Sequence, residues 1–285
     1  MAAVGADAAR HCLELVRAAD KDRFLAGLFA PQDGRRRLYG LYAFNIELAR
    51  VREAVSEPQL GEIRLEWWLE VIAGIYGGEV PDHPVARELA RAIEFGDLPQ
   101  STFTDMIAAR RGDLYDDPVP TLGDLEGYLG ETGSALIQLA ALVLAGRQAA
   151  SAATAAGYAG VAFGLTGLLR SLPLHRARGQ CYLPGDVLAR HALTPAHVLA
   201  GRFDGAMSKV IAELADHART RLGEARGHGG DIPAAALPAF LPAGLVDLYL
   251  KRLLRAGFNP LTGVADVAQV VRQWRLWRKA RSGTF

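Results

Sequence analysis

Few side chains in this 285-residue chain have the types and spacing of a ready-made reaction centre. Seven histidines are present, but His83, His191, His197, His217 and His228 share no ligand spacing, and no His-Glu-x-x-His run occurs. Cys12 and Cys181 stand far apart, outside any metal or redox spacing. They read as reduced thiols, with one long-range disulfide as the alternative. Asp113, Asp116 and Asp117 share a proline-punctuated loop and could hold a cation; lacking a glycine-centred calcium loop, they read better as a solvated acidic loop. The strongest chemical pattern is basic. From Val271 the chain runs VRQWRLWRKARSGTF, with no acid and two interleaved tryptophans. Trp274, Arg275, Trp277, Arg278 and Lys279 would suit an anionic membrane surface. The alternative is a terminal helix whose tryptophans dock on the body while its arginines face water. No nucleic-acid-binding module accompanies the patch, so nucleic acid is not an expected partner.

The elements that must position these residues are helical. Half of the residues are hydrophobic and 22% are charged, the balance of a folded protein, and the net charge of +1 gives no global electrostatic instruction. Apolar residues recur at three- and four-residue steps and no segment alternates like a strand, which predicts an all-α fold. Helices are expected at about 8–29, from the region of Tyr39 to Val55, and through Leu60, Ile63, Trp67, Val71 and Ile75, with Gly77-Gly78 as a stop. Thr121 with Asp124 reads as a capping box. Two long apolar helices are expected at about 122–145 and 151–172, a long amphipathic one at 206–226, another at 233–254, and a basic closing helix at 264–281. Positions 132–185 hold no acidic residue, 54 in a row. No repeat or linker divides the chain, so residues 1–285 read as one domain. The N-terminus has no signal-peptide pattern, and the longest apolar run, 135–146, is short for a bilayer. A soluble or peripheral protein, cytoplasmic or at an inner membrane surface, is the expectation.

Two stretches carry a resemblance. Leu41-Tyr42-Ala43-Phe44 with Trp67-Trp68, and Gly164-Leu165-Thr166-Gly167-Leu168-Leu169-Arg170 continued by Arg178-Gly179-Gln180-Cys181-Tyr182-Leu183-Pro184, resemble the two signature helices of the squalene/phytoene synthase family and the loop after the second. Asp113, Thr121 and Tyr128 resemble its middle segment. The similarity spans residues 23–184 and implies a single-domain isoprenoid-synthase-type helical bundle around a central apolar cavity. In that family two Asp-rich motifs hold Mg²⁺ against a prenyl diphosphate at the cavity mouth.

Here the positions matching the first motif read Ala49, Arg50 and Glu53, and those matching the second read Ser171 and His175. One glutamate cannot clamp several Mg²⁺ ions, which need several carboxylate oxygens. Arg50 and Arg52, and His175 if protonated, would repel them. The phrases Phe44 to Ala49, Val55-Ser56-Glu57, Ile63-Arg64 and Leu169-Arg170-Ser171-Leu172-Pro173-Leu174-His175 are similar to the branch containing the respiratory complex I assembly factor, regarded as non-catalytic. The resemblance therefore implies a binding or assembly role near a membrane, with a protein client or an apolar or prenyl ligand and no metal or other cofactor. The alternative is a transferase with an arginine-based diphosphate site. Arg35, Tyr42, Arg50, Arg170, Arg178 and Tyr182 would be its ligand-binding residues, and Mg²⁺ its cofactor.

Overall fold

A computed structural model describes residues 2–115 and 117–285, with side chains from Asp7 onward; Asp116, from the acidic loop, lies outside the described residues. The chain opens with α1 (Ala2–Ala19), α2 (Lys21–Gly27) and α3 (Gln32–Ala49). Asp20 splits the expected first helix in two: its carboxylate accepts the Arg23 backbone N–H at 2.9 Å and caps α2. The signature helix α3 ends at Ala49 rather than Val55, and 52–54 form a separate 3-10 turn. Then come α4 (Pro58–Gly77), α5 (Pro84–Gly96) and α6 (Gln100–Ala109). Gly78 takes φ 88° and ends α4, a left-handed conformation that costs glycine least.

The capping box of Thr121 and Asp124 is present and starts α7 (Leu122–Leu129). A π-turn at 130–134 joins it to α8 (Ala135–Ala145), so the expected long helix is two helices and a turn. A 3-10 segment leads to α9 (Ala153–Arg170), then α10 (Leu172–Ala177), α11 (Gly185–Arg190) and α12 (Pro195–Leu199). The long α13 (Gly205–Gly227) is followed by α14 (Leu237–Phe240), α15 (Val246–Leu253) and α16 (Gln269–Arg281). The closing helix therefore starts at Gln269, not 264. Residues 264–268 form a strap without regular secondary structure, with Ala265 buried.

The fold is all-α, with no strand among the described residues. At its centre α9 packs along α13 through small residues: Ala155, Ala159 and Ala162 on one helix, Ala215, Ala218 and Ala225 on the other, all buried. Against the π-turn α9 comes closer still, since a Cβ on Gly160 would lie 2.3 Å from the Ser134 backbone. The run 122–170 and the segment 234–253 are apolar and long enough to cross a bilayer by composition, beyond what the short run at 135–146 suggests. In this fold both lie substantially inside the body, as core helices do.

The α4 helix is rotated from expectation. Its buried face is Gly61, Leu65, Trp68, Val71 and Ile72, leaving Leu60, Ile63 and Trp67 outside. Trp68 is the core tryptophan, edge-on to Phe44 at 5.1 Å.

Candidate functional site

The two signature helices end near one another, and what joins them is a side-chain pair. Arg178, in the loop after α10, donates to Glu53 at 2.7 Å across 125 residues of sequence. The lone carboxylate at the first-motif position is thus engaged by a cation from the second. Both side chains are about 40% exposed, 37% and 42%. Beside them Ala49 and Arg50 are exposed, and Arg50 makes no ion pair among the described residues.

His175, the second-motif position expected to repel cations if protonated, is held largely away from solvent. It lies within α10, packs 4.6 Å from the Tyr182 ring, and its Nδ1 is buried with no hydrogen-bond partner. Burial, helped by neighbouring Arg178, lowers its pKa to about 4, so at pH 7 it is neutral and repels no cation. Ser171 serves as the junction between α9 and α10, its backbone N–H donating to Gly167 O at 3.0 Å.

Directly behind this mouth is a buried acid. Asp113 Oδ1 accepts from Tyr182 OH at 2.9 Å; its Oδ2 accepts from Tyr128 OH at 3.0 Å and Arg110 Nη1 at 3.1 Å. Arg110 also donates to Tyr128 OH at 2.6 Å, and Gln180 Nε2 to the Asp113 carbonyl at 3.0 Å. Burial first, with Asp113 adding to it, pushes the Tyr128 and Tyr182 phenols far up, so both remain donors. The Tyr182 hydroxyl is therefore engaged by Asp113. Asp113 is buried and Asp117 exposed, and both line one cleft of about 320 Å³ with Tyr128, Tyr182 and Asp124.

The remaining candidates for a diphosphate site are not assembled into one. Arg35 Nη2 donates to the carbonyls of Leu28 and Ala30 at 3.2 and 3.1 Å, closing the turn after α2. Tyr42 is wholly buried beneath the Arg23 guanidinium. Arg170 lies with its guanidinium 3.5 Å from the Tyr249 ring centroid, donates to Ala265 O at 3.0 Å, and faces Asp22 and Asp266 at 3.5 and 3.4 Å. Five clefts among the described residues are lined by other side chains than Arg35, Arg50, Arg170 and Arg178.

Between the signature helices, sequence reasoning missed Arg23. Its guanidinium sits 5.8 Å from the Tyr42 ring of α3 and 5.0 Å from the Phe163 ring of α9, with Asp20 paired at 2.6 Å. A largely buried ion pair thus sits between rings of the two signature helices. Only the three-residue spacing of Asp20 and Arg23 hinted at it.

Arg272 was missed too. It is 3% exposed, contacts Asp22 at 2.7 Å and Asp266 at 2.6 Å, and donates to Tyr249 OH at 3.0 Å. This departs from the alternative in which the α16 tryptophans dock on the body and the arginines face water. A charged residue goes inward, whereas Trp274 and Trp277 are 54% and 49% exposed. Arg278 and Arg281 stack on those rings at 4.7 and 5.2 Å. Arg275 and Lys279 leave the predicted surface group: Arg275 donates to Gly244 O at 3.3 Å and Lys279 to Phe285 O at 3.0 Å.

Mg²⁺ does not fit the residues at this mouth. The sole matching carboxylate is held by Arg178, and among the described residues no group of three or more His, Cys, Asp or Glu side chains is placed to hold a metal ion.

Helix order, signature helices and mouth define the class. Residues 16–278 match the family model described as squalene/phytoene synthase, and the chain belongs to that family. Within it, the chain is similar to NADH dehydrogenase (ubiquinone) complex I, assembly factor 6, of Rattus norvegicus, 33% identical over 253 residues, covering 89% of this chain and 76% of that protein. The Homo sapiens protein of the same name is 32% identical over 249 residues, covering 87% and 74%. A 15-cis-phytoene synthase of Synechocystis is 27% identical over 222 residues, covering 73% and 65%. In fold, the chain superposes on a dehydrosqualene synthase bound to a ligand with a TM-score of 0.80 at 20% identity, covering 98% and 96% of the two chains. A squalene synthase from Alicyclobacillus acidocaldarius gives 0.72, also at 20% identity with the same coverage.

Proposed function

We propose that this chain is a non-catalytic assembly factor on the squalene/phytoene synthase scaffold, serving an NADH dehydrogenase complex at an anionic membrane surface. The observation that carries the reading is the Glu53–Arg178 pair. Where a diphosphate-ionising enzyme needs clustered carboxylates for Mg²⁺, this mouth has one carboxylate neutralised by a guanidinium. Similarity to proteins named as complex I assembly factors supports the assembly part. The exposed Trp274 and Trp277 with their stacked arginines support the membrane part, since tryptophan rings settle at the headgroup level and arginines pair with anionic lipid.

The test is genetic and chemical together. Deleting the gene in its host should lower the amount of assembled NADH dehydrogenase complex on native gels. Re-expressing the chain with Glu53→Ala and Arg178→Ala should restore it, because the mouth performs no chemistry. Failure of that variant to restore assembly, or Mg²⁺-dependent turnover of farnesyl or geranylgeranyl diphosphate by the purified protein at ordinary enzyme rates, would return the chain to the transferases. Pelleting with anionic vesicles should be lost in Trp274→Ala/Trp277→Ala; unchanged pelleting would remove the membrane part.

A further inference from the structure

Two helices present apolar stripes that the described residues leave exposed. On α4, Leu60, Ile63 and Trp67 follow one another at steps of three and four, the spacing that keeps residues on one helical face, and Ile63 is 65% exposed. Trp67 is braced from below, edge-on to Trp68 at 4.8 Å and His83 at 5.3 Å, so it is presented rigidly. Beside it opens a cleft of about 340 Å³ lined by Trp67, Glu70, Gly74, Glu79 and Val80. Neither glutamate makes an ion pair among the described residues, whereas Glu66, farther round the helix, is paired with Arg111 at 3.1 Å. One edge of the stripe is therefore acidic and unsatisfied; Arg64 borders the other.

On α16 the pattern is the electrostatic opposite. Val270, Trp274 and Trp277 recur at steps of four and three, and Val270 is 68% exposed. Arg278 and Arg281 flank them, and the helix contains no acid. α4 packs on α6 and the turns at 52–54 and 110–114; α16 packs on α2 and the turn at 241–245. The two stripes thus belong to separate parts of the molecule, with matching length, matching apolar spacing and opposite charge along one edge of each.

We propose that they are the two halves of one contact: the chain pairs with a second copy of itself, α16 of one copy seated on α4 of the other. Leu60, Ile63 and Trp67 meet Val270, Trp274 and Trp277, while Glu70 and Glu79 receive Arg278 and Arg281. Rigid tryptophans and arginines are the side chains that dominate such contacts, and the oppositely charged edges select the pairing and make it salt-dependent. The inference goes beyond the functional reading. It adds that the α16 tryptophans are covered by protein when no membrane is at hand.

Sedimentation velocity of the full chain at low salt tests it. The wild type should associate as concentration rises, and more weakly as salt rises. Glu70→Arg/Glu79→Arg leaves both stripes basic, and Arg278→Glu/Arg281→Glu leaves both acidic. Each variant alone should associate at least tenfold more weakly than the wild type while keeping its helical circular dichroism. Mixed in equal amounts the two should associate again, because each then offers the other a complementary pair of stripes, a rescue that misfolding cannot produce. A wild type that is monomeric throughout, association indifferent to either variant, or a mixture that stays monomeric would overturn the proposal. The Glu70→Arg/Glu79→Arg variant should still pellet with anionic vesicles, which separates failure of this contact from failure of the membrane reading.

Discussion

The 178–182 loop makes two acid contacts four residues apart, and they differ in kind. Arg178 reaches an exposed Glu53, whereas Tyr182 reaches Asp113, which is buried and also holds Arg110 and Tyr128. Both contacts tie together distant parts of the chain. An exposed ion pair gains little, because water screens it and two long side chains lose freedom. A buried carboxylate beside a buried guanidinium is different, since removing one strands the other in a medium that cannot solvate it. The mouth is therefore held in place by the acid behind it, and the pair at its rim is free to change with little consequence for folding.

Asp113→Ala should show the largest effect, a loss of about 3–5 kcal/mol, because Arg110 is left charged and buried. Urea denaturation measures it, and a loss below about 1 kcal/mol would erase the distinction between the two contacts. The neighbouring His175 gives an intermediate effect that appears only in acid. Its pKa is lowered from 6.5 to about 4 in the folded chain, so the unfolded chain binds the extra proton between those values. Stability should therefore be highest above pH 6.5 and fall as pH drops toward 4, by about 3 kcal/mol at most. His175→Leu should remove that part of the pH dependence; a wild-type and variant difference that stays flat from pH 7 to 4 would contradict the neutral buried ring. The smallest effect belongs to the rim. Glu53→Ala should cost no more than about 1 kcal/mol, and less in high salt. A thermal melt that falls as far as that of Asp113→Ala would show that the rim pair anchors the helices after all.

Local signals were legible where the chemistry is local. The Thr121 capping box, the stop at Gly78 and the all-α pattern follow from side chains acting within a few residues of themselves. The orientation of α4 was not legible, because two apolar stripes coexist on it. Leu60, Ile63 and Trp67 satisfy helical spacing as well as Leu65, Trp68 and Ile72 do, and periodicity cannot say which faces the core. On α16 the sequence left open whether the tryptophans face a membrane or the body, and Arg272 docks instead, because Asp22, Tyr249 and Asp266 wait for it inside. The α16 face left outside became half of the proposed contact, and a sequence offers no means of seeing that it is left over.

The sequence by itself determined the family, the helical class and the scarcity of carboxylates at the mouth, since these depend only on which residues are present and in what order. Tertiary structure decided how each arginine is used. Arg35 closes a turn, Arg170 braces the 264–268 strap, Arg178 takes Glu53, and Arg50 remains at the surface. The physical reason is reach: these choices join partners up to 250 residues apart, as between Arg272 and Asp22. Coulomb attraction and hydrogen bonding act over a few ångströms of space, whatever the distance along the chain.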